Sequence, residues 1–195
     1  LGTFSDPLLN PDFDSYCKEV LKHEGLSLLL ETDAVNLMEP CVLEKAKDLA
    51  SFEDGKAVKR ITWIVAVDAV SPGMYTLMHG LEKDDGAFAK VLNAVNVLGG
   101  LYKGRVFPQF TRMNANESEL EQFYRYWHDK SSPSQGNVII QKFDHACRFF
   151  SDERPADLSP LLRYPCWHIK RDMRLLAILW LYQLLLWRIL SRHLI

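Results

Sequence analysis

Several common signatures are missing from this chain. Its four cysteines, Cys17, Cys41, Cys147 and Cys166, form no Cys-x-x-Cys pair, so spacing alone gives no complete zinc or cluster ligand set. His145 and Cys147, and Cys166 and His168, stand close in sequence, but His-x-Cys and Cys-x-His are not zinc signatures by themselves. No GxGxxG, P-loop or GxSxG occurs, which leaves dinucleotide, nucleotide-phosphate and hydrolase readings without their motif. Basic charge is not in excess: 23 Lys and Arg stand against 25 Asp and Glu, for a net charge of −2. With no basic block interleaved with aromatics, nucleic-acid binding has little support. No signal-peptide pattern opens the chain, so a cytoplasmic setting with reduced thiols is expected. An initiating methionine is also missing. The chain starts at Leu1 in a loop-like stretch, which suggests a fragment whose first part lies upstream.

What is present is ample core material: 48% of residues are apolar and 25% charged, an ordinary soluble balance. The chain is organised around Ile61-Thr62-Trp63-Ile64-Val65-Ala66-Val67, which meets Asp68 and breaks at Ser71-Pro72-Gly73. A short, largely β-branched run bounded by turn residues predicts a strand buried on both faces. Shorter runs, Leu26 to Leu30, Arg105 to Thr111 and Val138 to Ile140, predict three more strands. Helices are predicted between them. The first starts at Asn10-Pro11-Asp12, carries Phe13, Tyr16, Cys17, Val20 and Leu21, and ends at Gly25. The second spans about Glu39 to Phe52, and the third about Gly86 to Leu98, stopped by Gly99-Gly100. The fourth opens at Asn116-Glu117-Ser118, with Leu120, Phe123, Tyr124 and Trp127 inward. This alternation predicts an α/β fold with a parallel sheet. Four units are too few for a closed eight-unit barrel, so a partial (β/α) barrel is expected.

Polar residues gather where the predicted strands end: Asp6; Glu31 and Asp33; Asp68; Arg112 and Asn114; and Gln141 with Asp144 and His145. In a parallel barrel these converge on the face that carries ligands. Each can also be read as an ordinary loop polar group or cap, as for Asp33, Asp68 and Asn116. Glu31 and Asp33 read either as an acid/base pair or as a solvated pair. Gly2-Thr3-Phe4-Ser5 could turn backbone N–H groups toward an anion.

From Lys142 the alternation stops. Residues 143–162 are irregular, and Leu175 to Trp187 is apolar nearly all round, between Arg174 and Arg188. That run is shorter than the roughly twenty residues a membrane-spanning helix needs. It reads as a buried or docking helix, as an interfacial membrane contact through 175–187, or as the product of a reading-frame change.

These residues also resemble a family. Asp6-Pro7-Leu8-Leu9-Asn10-Pro11-Asp12-Phe13 is similar to the "GGEPLLHPDF" stretch of radical SAM enzymes, and Val65 to Ala69 to their "SIDG" strand end. Met78-His79-Gly80, followed by Phe88 to Leu92, is similar to their "IRG…F…VL". Asp157 to Leu161 and Pro165-Cys166-Trp167-His168 to Met173 resemble the start of a C-terminal SPASM domain of the spiro-SPASM type. The resemblance covers about residues 1–173. It implies about four strands of a six-strand partial barrel over 1–145, a linker and SPASM-like start over 146–173, and a divergent apolar tail, a terminal helix, over 174–195. It further implies an oxidoreductase or peptide-modifying enzyme that uses S-adenosylmethionine and a [4Fe-4S] cluster. Cleavage of the cofactor would give a radical that abstracts hydrogen from a peptide or protein substrate.

By resemblance, Ser5 and Asp6 stand where the motif binds the methionine amino group. Asp68 keeps the strand-end acid, while Ala66 replaces its serine. Arg112, placed by geometry rather than motif, is a candidate partner for the cofactor carboxylate. Cys166 matches the first SPASM cysteine, a ligand to an auxiliary cluster. The CxxxCxxC loop and the later SPASM cysteines are missing from the sequence, so the chain alone is expected to bind no cluster and to be inactive. The alternative is a non-catalytic α/β scaffold or interaction module, associated with a membrane if the tail serves that purpose.

Overall fold

The computed structural model describes residues 6–53, 55–130, 132–143, 151, 153 and 155. The chain divides into Leu1–Ala156 and Asp157–Ile195, and the description concerns the first unit. Ser5, Asp144, His145, Cys147, Cys166, His168 and the apolar tail lie outside the described residues.

Four strands, β1 (Leu28–Thr32), β2 (Ile61–Ala66), β3 (Val106–Arg112) and β4 (Ile139–Lys142), form one sheet in the order β1-β2-β3-β4. Every pairing is parallel, with Leu28 opposite Ile61, Trp63 opposite Val106 and Gln109 opposite Ile139. Helices α1 (Phe13–Leu21), α2 (Pro40–Ser51), α3 (Pro72–Met78), α4 (Ala87–Leu101) and α5 (Leu120–Arg125) complete the fold. The chain is therefore an α/β protein built on a parallel sheet. Spatial order follows chain order, so no strand reversal divides the described sheet, as one does in doubly wound folds. That order is compatible with an arc of a barrel.

Alternation within the strands explains which face the helices cover. Leu28, Leu30, Ile61, Trp63, Val65, Val106 and Phe110 are buried in one core with Cys17 and Leu21 of α1, Ala46 and Leu49 of α2, Val91, Val95 and Leu98 of α4 and Phe123 of α5. Side chains between them in sequence point the other way. Of these, Ile64 is buried, Thr62, Ala66, Phe107, Gln109 and Thr111 are half-buried, and Leu29 and Glu31 are exposed. Burial of β2 on both faces, expected from its apolar run, thus holds at Ile64 and loosens at Thr62 and Ala66. The core is tied across layers by Tyr102, whose ring meets Trp63 edge-on at 5.5 Å while its hydroxyl donates to the Ala46 carbonyl at 2.7 Å.

Several boundaries differ from the sequence expectation for physical reasons. The first helix begins at Phe13, because Asp6 to Asn10 forms a separate 3₁₀ turn over Pro7–Leu9, and Asn10 Oδ1 accepts from the Asp12 N–H. Tyr16 on that helix is exposed rather than inward. α4 runs through Gly99-Gly100 to Leu101 instead of stopping there. Gly99 serves a close approach, since a Cβ on it would lie 2.8 Å from Pro133 Cβ. After α5 the backbone widens into a π-helical turn over Tyr126–Lys130. Trp127, within that turn, is buried as its spacing predicts, whereas Tyr124, which precedes the turn, is exposed rather than inward.

The largest correction is α3. Ser71-Pro72-Gly73 reads as a break but is a helix start: Ser71 Oγ accepts from the Met74 N–H, and Pro72 fills the first turn.

Candidate functional site

The carboxyl ends of β1, β2 and β3 form a polar rim. At the first, the Asp6 carboxylate accepts from the Leu8 N–H at 2.7 Å, the Thr32 hydroxyl at 2.6 Å and the Asp33 N–H at 2.9 Å. One residue thus caps the entering turn and fixes the loop after β1. Thr32 Oγ1 and Asp33 Oδ1 in turn accept from the Ala34 and Val35 N–H groups. Burial raises the Asp33 carboxyl above its ordinary value, and Asp6 nearby adds to the shift.

At the second strand end, Asp68 is 8% exposed and adopts φ +59°, a left-handed conformation that Asp tolerates better than most residues. Its Oδ1 accepts from the Thr111 N–H, and its carbonyl accepts from Asn116 Nδ2 at 2.9 Å. The remaining oxygen, Oδ2, lies 3.7 Å from His79 Nε2. Desolvation raises the Asp68 carboxyl; the Thr111 N–H and His79 offset part of that shift.

Asn116, fully buried, also accepts from the Met113 N–H and donates to the Thr111 carbonyl. Glu119 accepts from the Val70 N–H at 2.7 Å and the Ser71 hydroxyl at 2.5 Å. These bonds join the loop after β2 to the loop after β3.

At the third strand end, Arg112 makes a two-point pair with Glu117, Nε to Oε2 at 3.0 Å and Nη2 to Oε1 at 2.5 Å. Part of the rim expected from sequence is therefore present: Asp33, Asp68 and Arg112 stand at strand ends, Asp6 follows no described strand but reaches the end of β1 through Thr32 and Asp33, and Gln141 lies within β4 rather than past it. Glu31 does not join them; it lies within β1 and is exposed.

Sequence reading missed Tyr75 and His79, because it missed α3. They stand four residues apart, the spacing that puts two side chains on one helix face, and their rings stack with centroids 4.1 Å apart. The Tyr75 ring also meets Phe88 at 5.5 Å. Burial raises the Tyr75 phenol, with Asp33, Asp68 and Asp84 adding negative potential. Tyr75 Oη and His79 Nε2 are both buried without a hydrogen-bond partner.

The cysteines within the described residues are far from this chemistry. Cys17 is in the core, where burial pushes its thiol up to about 11, and Cys41 is exposed on α2. Among the described residues no three His, Cys, Asp or Glu side chains converge as metal ligands.

The raised carboxyl of Asp68 carries a prediction. A group whose folded value lies above its unfolded one favours the protonated folded state. Its contribution is fully present at acid pH and is lost as pH rises above the ordinary 3.8 through the folded value. Asp68→Asn can still accept from the Thr111 N–H and never ionises. Thermal unfolding followed from pH 4 to pH 7 should therefore show the wild type losing stability relative to Asp68→Asn. A parallel course would mean that the buried carboxyl does not titrate as argued.

Fold and rim together define an α/β protein whose parallel strands end in an acidic, partly buried edge. No family model matches the chain, and no solved structure matches it. It is similar to an uncharacterized protein of Treponema pallidum (strain Nichols), 41% identical over 175 residues, which cover 89% of this chain and 47% of that protein. The chain spans about half the length of this curated relative.

Proposed function

We propose that this chain is one wall of a radical S-adenosylmethionine enzyme of the partial (β/α) barrel type, acting in the cytoplasm on a peptide or protein substrate. The observation that carries the reading is the sheet itself: consecutive parallel βα units whose polar carboxyl ends gather at one edge. Such edges hold ligands in barrel proteins. Bound S-adenosylmethionine and its cluster would supply the radical chemistry, and the protein would supply binding, orientation and exclusion of side reactions.

The described residues do not fit the cluster: no three potential ligands converge, and the Cys17 thiol is held protonated in the core. Nor are the resemblance's nominees poised for the cofactor. Asp6 is engaged by three donors of its own chain and Arg112 by Glu117. No catalytic step is therefore assigned to this chain. Its part is to shape the rim through Asp68, Asn116 and Glu119.

The test uses the chain together with the coding sequence on either side of it. After anaerobic reconstitution with iron and sulfide, that longer protein should absorb broadly near 400 nm and form 5′-deoxyadenosine when reduced with dithionite. The 195-residue chain alone should do neither. Absence of both signals from the longer protein would overturn the assignment, and a stoichiometric cluster on the short chain would overturn its role as a wall.

A second reading follows from the same internal bonds of Asp6 and Arg112. A scaffold that keeps the barrel surface without the chemistry would use these residues structurally, as here. It should show no affinity for S-adenosylmethionine in equilibrium dialysis, even with the flanking sequence present. Among the described residues no helix is long and apolar enough to cross a membrane.

A further inference from the structure

We infer that His79 is a proton-accepting residue of the rim and that Asp68 is its positioning partner, holding the imidazole proton on Nε2 so that the Nδ1 lone pair faces outward. The two ring nitrogens stand in different surroundings. Nε2 is buried, has no hydrogen-bond partner and lies 3.7 Å from Asp68 Oδ2. Nδ1 has no partner among the described residues and is not one of the buried atoms; the side chain is 18% exposed although Nε2 is shielded. Both groups are held in place. The ring stacks on Tyr75, one helical turn earlier, with centroids 4.1 Å apart. Asp68 is fixed through Oδ1, which accepts from the Thr111 N–H, and through its carbonyl, which accepts from Asn116 Nδ2.

These surroundings decide which nitrogen carries the proton. An ionised carboxylate only accepts, so a lone pair on Nε2 would set two acceptors against each other away from water. A neutral imidazole has a single N–H; with it on Nε2, Nδ1 is the acceptor. The present separation is longer than a hydrogen bond, and a small shift of the ring closes it, as is common where such sites hold no ligand. Ser-His-Asp triads divide the work in the same way, with the carboxylate on one ring nitrogen and the other nitrogen taking the proton. Here a ligand O–H or N–H bond would break, Nδ1–H would form, and the bonding pair would stay on the ligand atom. The imidazolium that results lies beside the Asp68 carboxylate. Charged groups facing the ring are Asp68 at the end of β2 and Asp33 in the loop after β1, while Asp84 acts on Tyr75 beside it. All three are carboxylic, so a neutral or cationic donor is favoured over an anionic one. The position, past the carboxyl end of a parallel strand, is one where ligands bind in such folds.

This inference does not rest on the radical-enzyme reading, and either can fail alone. It is tested on the 195-residue chain without a ligand, by reading the tautomer and the reactive nitrogen directly. With the ring nitrogens isotope-labelled, two-bond proton–nitrogen spectra distinguish Nε2–H from Nδ1–H, and His79→Gln identifies the His79 signals. Diethyl pyrocarbonate probes the free lone pair. Nδ1 attacks a carbonyl carbon, a C–N bond forms and a C–O bond breaks, and the departing ethyl carbonate yields carbon dioxide and ethanol. Peptide mass spectrometry locates the ethoxycarbonyl group. Both measurements are made at a pH where the spectra show a neutral ring.

The wild type should show Nε2–H at His79 and acylation there. In Asp68→Asn the amide oxygen keeps the Thr111 N–H, and the amide nitrogen replaces Oδ2, turning a donor toward Nε2. The proton should then move to Nδ1. Acylation of His79 should fall about tenfold or more, equivalent to roughly 1.4 kcal/mol, while His128, 47% exposed, reacts at an unchanged rate. A purely structural Asp68 would not move the tautomer. Nδ1–H in the wild type would overturn the inference whether or not the variant folds. So would a folded Asp68→Asn that keeps Nε2–H, or one whose His79 is acylated as fast as in the wild type.

Discussion

Trp63→Ala is expected to destabilise the protein by about 3–5 kcal/mol, the usual range for truncating a fully buried large aromatic residue. Trp63 sits at the centre of β2, fully buried, opposite Leu30 on one side and Val106 on the other. Its ring is the edge-on partner of Tyr102, which links β2 to α4 and, through its hydroxyl, to α2. Removing it opens a cavity where β2, α2 and the end of α4 meet. Because a domain is stable by only about 5–15 kcal/mol in total, guanidinium unfolding should show a large fall in midpoint, or no folded baseline at all. Trp63→Phe is the informative companion. Phenylalanine keeps an aromatic ring beside Tyr102 and removes less volume than alanine does, so the loss should be well under half of that for alanine. Equal losses for Phe and Ala would show that the indole itself, and not aromatic filling, holds this junction.

The second large effect is expected at Asn116. Its side chain, fully buried, accepts from the Met113 N–H and donates to the carbonyls of Asp68 and Thr111. Asn116→Ala leaves one N–H and two carbonyls to find new partners, at about 1–3 kcal/mol for each that fails. A total loss of about 2–4 kcal/mol is expected. Asn116→Asp separates the contributions, since it restores an acceptor for Met113 but sets a carboxylate against two carbonyl oxygens. It should be no more stable than alanine. Hydrogen exchange gives the local readout: the amides of Thr111 and Met113 should lose protection beyond the global change. If Asn116→Ala unfolds at the wild-type midpoint, the two loops are held together by something other than this side chain.

How far the fold could be read from sequence depended on how many signals agreed at each place. β2 was legible because composition, length and flanking turn residues all pointed to a strand. Its terminal acid was legible because parallel sheets place polar residues there. α3 was not, although its start was written in the sequence. Ser71-Pro72 is an N-cap followed by a first-turn proline, yet the adjoining Gly73 made the three residues look like a turn. Losing that helix lost Tyr75 and His79, whose spacing has meaning only on a helix. Gly99-Gly100 misled in the opposite sense. Helix ends are a common use of glycine, but here Gly99 makes room for Pro133, which lies far along the chain.

The engagement of Asp6 and Arg112 was beyond reach of the sequence for another reason. A strand-end acid or base looks the same whether it faces a ligand or its own loop. The partners that decide the matter, Thr32, Asp33 and Glu117, become neighbours only once the turns are folded.

Because the strands follow one another across the sheet in chain order, the rim works as a scale. Neighbouring parallel strands are about 4.8 Å apart, so the loops after β1 and β3 stand about 10 Å from each other, with the loop after β2 between them. A molecule gripped at both outer loops must be about as long as an extended tripeptide, three residues at about 3.3 Å each. Lengthening a ligand in steps of one residue, and asking at which step affinity begins to depend on the loop after β3, would measure that scale directly.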